Sequence, residues 1–140
     1  MGPRIVLADE NAVFLGSLRQ ALEGECQVLA TACDGATVLK LLEELVPDVV
    51  LMSLAMRTSS GSDLTRDTTG VLGNIKVIVL TMHTDPAYVQ EALKAGASGV
   101  LLKSSARAEV VAAIHHVMAG GTYVGTGLGL PGAGDFRPPS

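Results

Sequence analysis

Five side chains in this 140-residue sequence could share one piece of chemistry: the adjacent acids Asp9-Glu10, the hydroxyls of Ser53 and Thr81, and the ammonium of Lys103. An acidic pair offers oxygen ligands to a hard cation such as Mg²⁺. A hydroxyl can hydrogen-bond a phosphoryl oxygen, and an ammonium can neutralise its charge. Each signal is weak alone, because an acidic pair after an apolar run is most often only the start of a loop. Each of these residues, however, closes a short apolar run, so their meaning depends on whether the fold gathers the ends of those runs.

The runs read as strands. Ile5-Val6-Leu7-Ala8, Val28-Leu29-Ala30-Thr31-Ala32, Asp48-Val49-Val50-Leu51-Met52, Lys76-Val77-Ile78-Val79-Leu80-Thr81 and Gly99-Val100-Leu101-Leu102 are apolar on both faces and rich in β-branched residues. That is the pattern of central parallel strands covered by helices on each side. Helical spacing fills the gaps between them. Phe14, Leu15, Leu18 and Leu22 form one stripe, stopped at Gly24. Asp34-Gly35 opens a second with Val38, Leu39, Leu41, Leu42 and Leu45, ended by Pro47. Asp85-Pro86 is an N-cap followed by a proline at the first helical position, with Val89, Ala92 and Leu93 behind it and Gly96 as the stop. Val110, Val111, Ile114, Val117 and Met118 predict a last helix closed by Gly120-Gly121. Between Thr58 and Asn74 only Leu64, Val71 and Leu72 are core candidates, which supports no more than a short or distorted helix.

Such alternation predicts an α/β fold with right-handed crossovers. Functional groups in open sheets of this kind gather beyond the carboxyl ends of the strands. Asp9-Glu10, Ser53, Thr81 and Lys103 all stand there, and four correctly placed signals together are strong.

With those residues in place, the chain resembles a response-regulator receiver domain, the flavodoxin-like (CheY-like) module of two-component signalling. The likeness rests on Val6-Leu7-Ala8-Asp9-Glu10, Pro47-Asp48-Val49-Val50-Leu51-Met52, Val77-Ile78-Val79-Leu80-Thr81 and Gly96-Ala97-Ser98-Gly99-Val100-Leu101-Leu102-Lys103. Gly120-Gly121-Thr122-Tyr123-Val124 is similar to the NarL/LuxR-type subfamily. The resemblance implies a five-stranded parallel sheet of order 2-1-3-4-5 with helices on both faces. It also implies a regulatory part in phosphorelay signal transduction, in a cytoplasmic transcription regulator. DNA would be contacted only through a separate effector domain, which these 140 residues do not contain. Residues 1–124 are expected to form the receiver domain and the Gly- and Pro-rich residues 125–140 a flexible linker or tail.

The sequence departs from the family at its reactive centre. Ser53 stands where the family has its phosphate-accepting aspartate, Met56-Arg57 replaces a Met-Pro pair, and Val100 replaces an aromatic switch residue. A carboxylate attacks phosphorus directly and yields a labile acyl phosphate. A serine hydroxyl needs an activating base, and its ester is far more stable. Losing a carboxylate should also weaken Mg²⁺ binding at Asp9 and Glu10 to a weak or lost site. The expectation is a pseudo-receiver that acts without aspartyl phosphorylation, through homodimerisation or docking of a partner protein. The expected surfaces lie around Tyr88 and Lys94 and around His115 and Met118. Lys103, lacking a carboxylate at residue 53, should pair with Asp9 or Glu10. Two alternatives stay open: phosphate taken at another residue such as Asp9 or Ser53, and a small-ligand-binding module using the crevice beside Ser53.

Composition sets the remaining bounds. Nearly half of the chain is apolar (48%) while aromatics are only 3%, so the core must be aliphatic. A net charge of −4 without charged blocks argues against unaided nucleic-acid binding. No run reaches the roughly 18–20 apolar residues of a membrane helix, and Met1-Gly2-Pro3-Arg4 lacks a signal-peptide layout. No Gly-rich phosphate loop or nucleophile–base–acid set suggests an enzyme. His83, His115 and His116 are too scattered for a zinc site and read as loop and surface residues. Cys26 and Cys33, if on one strand, lie about 23 Å apart at roughly 3.3 Å per residue, beyond any disulfide. They are expected to be two buried thiols.

Overall fold

Alternating faces decide this architecture. A computed structural model describes residues 2–53, 75–82 and 86–128, the side chain of Tyr88 excepted. The elements are β1 (Arg4–Ala8), α1 (Ala12–Leu22), β2 (Gln27–Ala32), α2 (Gly35–Leu45), β3 (Val49–Ser53) and β4 (Lys76–Thr81). They continue with α3 (Pro86–Lys94), β5 (Gly99–Leu102), α4 (Lys103–Met118) and β6 (Tyr123–Val124). The helix considered between Thr58 and Asn74 lies outside the described residues, as do Met56, Arg57, His83 and Asp85.

All strand pairs are parallel, in the order β2-β1-β3-β4-β5-β6. The predicted order 2-1-3-4-5 is therefore present with one strand added. β6 pairs Tyr123 with Gly99 and Val124 with Val100. At two residues it is too short for a period-2 pattern to reveal. Packing runs on past Val124: Gly125 N–H donates to the Val100 carbonyl (2.8 Å) and Leu128 is buried in the core.

Successive strand residues feed opposite layers. On one face Val6, Val50, Met52, Val77 and Val79 meet Val38 and Leu42 of α2 and Val89 and Ala92 of α3. On the other, Ile5, Leu7, Leu51, Ile78 and Leu80 meet Leu15, Leu18 and Leu22 of α1 and Val110, Ile114 and Val117 of α4. Each fully buried Leu, Ile or Val contributes about 2 kcal/mol by leaving water.

Local chemistry sets the helix ends. The Asn11 side chain accepts the N–H groups of Val13 (3.0 Å) and Phe14 (3.1 Å) to start α1. Asp34 accepts the Thr37 N–H (2.8 Å) to start α2. α2 ends at Val46 with φ 44°, since the residue before Pro47 is kept from continuing the helix. Arg4 then bonds the Leu45 (2.9 Å) and Val46 (3.0 Å) carbonyls.

Two expectations need correction. The buried stripe of α4 is Ala106, Val110, Ala113, Ile114 and Val117, whereas Met118 is 42% exposed. Met118 follows Val117 by one residue, which turns it about 100° away from the core. Of the cysteines, Cys26 is half-buried, and Cys33 is exposed because it lies beyond the end of β2.

Candidate functional site

The carboxyl ends of β1, β3, β4 and β5 bring Asp9, Glu10, Ser53, Thr81 and Lys103 to one edge of the sheet. Register enforces this: Ala8 pairs with Met52, Ser53 with Leu80 and Thr81 with Leu102. Asp9, Ser53 and Thr81 are buried polar residues, and the two hydroxyl residues are both engaged by partners.

The Lys103 ammonium lies 2.6 Å from Asp9 Oδ2 and 3.6 Å from Glu10 Oε1. This is the ion pair expected of a lysine with no carboxylate at residue 53. Asp9 is fully buried; its Oδ1 accepts the Asn11 N–H (2.8 Å), while among the described residues Oδ2 has no hydrogen-bond partner beyond the ammonium contact. Burial pushes the Asp9 carboxyl above its ordinary value, and the Glu10 carboxyl adds to that. The Lys103 ammonium and the Asn11 N–H oppose it without prevailing. Glu10 moves the other way. Burial works against its charge, but its own N–H, the Asp9 carboxyl, the Lys103 ammonium and the Ser53 hydroxyl together hold its carboxyl below the usual range.

The donor set fits Mg²⁺ poorly. Of the two acids, one holds an ammonium where a cation would sit, and Ser53 contributes only a neutral oxygen. Among the described residues no group of three His, Cys, Asp or Glu side chains could hold a metal ion. What the arrangement offers is a closed charge cluster with a hydroxyl against it.

Val100 is buried within β5. Lys94 is exposed at the end of α3, Tyr88 lies on α3 with its side chain outside the described residues, and His115 and Met118 are exposed on α4. The helices that carry these four residues pack on opposite faces of the sheet.

Sequence reasoning missed two contributors. Phe14 packs against the core as its stripe position implied, and its ring also lies 5.4 Å from the Lys103 ammonium, a cation–π contact that helps orient the lysine. Glu109 carried no signal, yet it joins α4 to the outgoing chain. Its carboxylate accepts the Tyr123 hydroxyl (2.8 Å), the Thr126 hydroxyl (2.5 Å) and the Thr126 N–H (3.2 Å). Burial and the Glu109 carboxylate push the Tyr123 phenol up to about 12. Burial opposes the Glu109 charge, but the Thr126 and Tyr123 donors outweigh it and hold its carboxyl low.

Known proteins share this fold and sequence pattern. The profile of the response regulator receiver domain matches residues 5–115. The transcriptional regulatory protein DegU of Brevibacillus brevis is 37% identical over 123 residues, covering 86% of this chain and 52% of DegU. LnrK of Bacillus subtilis (strain 168), also a transcriptional regulatory protein, is 39% identical over 121 residues, covering 84% of this chain and 54% of LnrK. The solved signal receiver domain of NarL from Mycobacterium tuberculosis superposes with a TM-score of 0.77 at 32% identity, covering 85% of this chain and 98% of that one. The chain spans about half the length of the curated relatives it matches.

Proposed function

The chain belongs to the response regulator receiver domain family, of the NarL/LuxR type, and from that premise we propose that it is the regulatory module of a transcription regulator that works without aspartyl phosphorylation. One observation carries the reading. At the end of β3, where the resemblance places the phosphate acceptor, stands a buried Ser53, and the Lys103 ammonium is drawn onto Asp9. A neutral hydroxyl hydrogen-bonded to Glu10 lacks the free carboxylate that attacks phosphorus. The same ammonium takes up the negative charge on which Mg²⁺ would depend, so the metal site is weak or lost.

Output then comes from surfaces and not from a phosphoryl-driven change. Homodimerisation or docking through the face around Tyr88 and Lys94, or through α4 around His115 and Met118, supplies it. DNA is reached through an effector domain outside these residues. Sedimentation equilibrium with and without acetyl phosphate and Mg²⁺ tests this. The mass-versus-concentration curves should superimpose; a shift to larger species only with the phosphodonor would refute it.

A further inference from the structure

Beside the charge cluster lies a cleft of about 530 Å³, lined among the described residues by Asn11, Phe14, Met82, Leu102, Lys103 and Ser104. Its volume falls within the roughly 300–1,000 Å³ of small-molecule sites. Three strand ends form it: the β1–α1 turn, the end of β4, and the β5–α4 junction. Phe14, Met82 and Leu102 make the walls apolar. Met82 is 76% exposed, an apolar side chain standing in water at the mouth of a concave site.

Among the described residues, each polar group of the cleft can donate a hydrogen bond. Asn11 spends its side-chain oxygen on the N–H groups of Val13 and Phe14, leaving its amide nitrogen without a partner among the described residues. The Ser104 hydroxyl is equally without one. Leu102, the N-cap of α4, provides no side-chain hydrogen bond to the first turn. Lys103 presents its ammonium over the Phe14 ring. An acceptor placed here meets donors from several directions, whereas an anion meets Asp9 and Glu10 directly behind the lysine.

We propose that this cleft binds a small, uncharged, ring-bearing molecule carrying a hydrogen-bond acceptor such as a carbonyl oxygen. The ring stacks among Phe14, Met82 and Leu102, and the acceptor takes hydrogen bonds from Lys103, Asn11 or Ser104. Ligand binding at the junctions of β1–α1 and β5–α4 gives the fold an input that needs no phosphate. Phosphate uptake by the chain would not alter the outcomes below, so this site and the function proposed above can fail separately.

The test uses the whole chain with ¹³C-methyl methionine, in which Met82 at the cleft and Met118 on α4 report separately. The probes are 1-acetylnaphthalene, 1-ethylnaphthalene, which keeps the shape without the acceptor, and naphthalene-1-carboxylate, which adds charge. The ketone should shift the Met82 methyl with a dissociation constant on the order of 1 mM, leaving Met118 still; the other two should bind about tenfold more weakly. Ser104→Glu, at an exposed position where an acid suits a helix N-terminus, should weaken the ketone about tenfold. Three results overturn the proposal: an unmoved Met82 methyl, equal binding of the three probes, or Met82 and Met118 shifting together.

Discussion

Replacing Lys103 with methionine removes the ammonium and keeps most of the side-chain stem. Asp9 is then left fully buried with no opposing charge among the described residues, since the lysine held its Oδ2 at 2.6 Å. Breaking a buried pair from one side costs about 3–5 kcal/mol when the remaining charge must stay. Asp9 has an exit, however, because it can take up a proton. Neutralising a carboxyl costs about 1.36 kcal/mol for each pH unit above its ordinary 3.8, so the penalty is capped near 4.4 kcal/mol at pH 7 and near 1.6 kcal/mol at pH 5. The direction follows from proton counting. Folded Asp9 has a raised pKa, so above 3.8 the folded chain holds a proton that the unfolded chain releases, and stability falls as pH rises through that window. Losing Lys103 raises the folded value further and steepens the fall. Urea unfolding of both proteins at pH 5 and pH 7 should show a loss of about 3–4 kcal/mol at pH 7 and a smaller one, no more than about 2.6 kcal/mol, at pH 5. Loss of the Phe14 contact should leave about 0.5–1 kcal/mol at either pH. An equal penalty at the two pH values would refute the idea that a buried Asp9 charge is what Lys103 compensates.

The helix end and the chain exit carry further expected outcomes. Val46 is β-branched, 55% exposed and held at φ 44°, so Val46→Gly should stabilise the fold by about 1 kcal/mol, or about 3 °C in Tm; an unchanged or lower Tm would show no strain there. Of the two tyrosines, Tyr123 should ionise only near 12 in the folded chain, and Glu109→Gln should lower that value, as read by ultraviolet titration. The charge of Glu109 should stabilise the fold above its ordinary 4.5 and cease to do so as pH falls through its lowered folded value. Protection of the Thr126 amide against exchange, relative to an unstructured chain at the same pH, should fall in that same acidic range.

Much of the fold was legible because a buried parallel sheet writes itself as apolar runs, and helices between runs carry a different period. Val49 to Ser53, buried throughout, shows no alternation for that reason. β6 was not legible because its two residues are strand only by virtue of Gly99 and Val100 beside them. The crevice was legible through a collective property: parallel strands end on one side, so Asp9, Ser53, Thr81 and Lys103 could be placed together without knowing a single contact. Phe14 does pack against the core as its helical spacing implied, but its second contact, with the Lys103 ammonium, was not legible because spacing does not say what the exposed side of a half-buried ring touches. Glu109 was invisible because its partners, Tyr123 and Thr126, return to it only after α4 has ended. Met118 was placed on the buried face because one residue of drift at a helix end is below what apolar spacing resolves.

Loss of the acceptor at Ser53 from an otherwise intact crevice is read by intact-mass spectrometry after incubation with acetyl phosphate and Mg²⁺, with Ser53→Asp measured alongside. No phosphoryl adduct is expected on the natural chain and one adduct on the variant. An adduct on the natural chain, whether on Asp9, Ser53 or elsewhere, would contradict it.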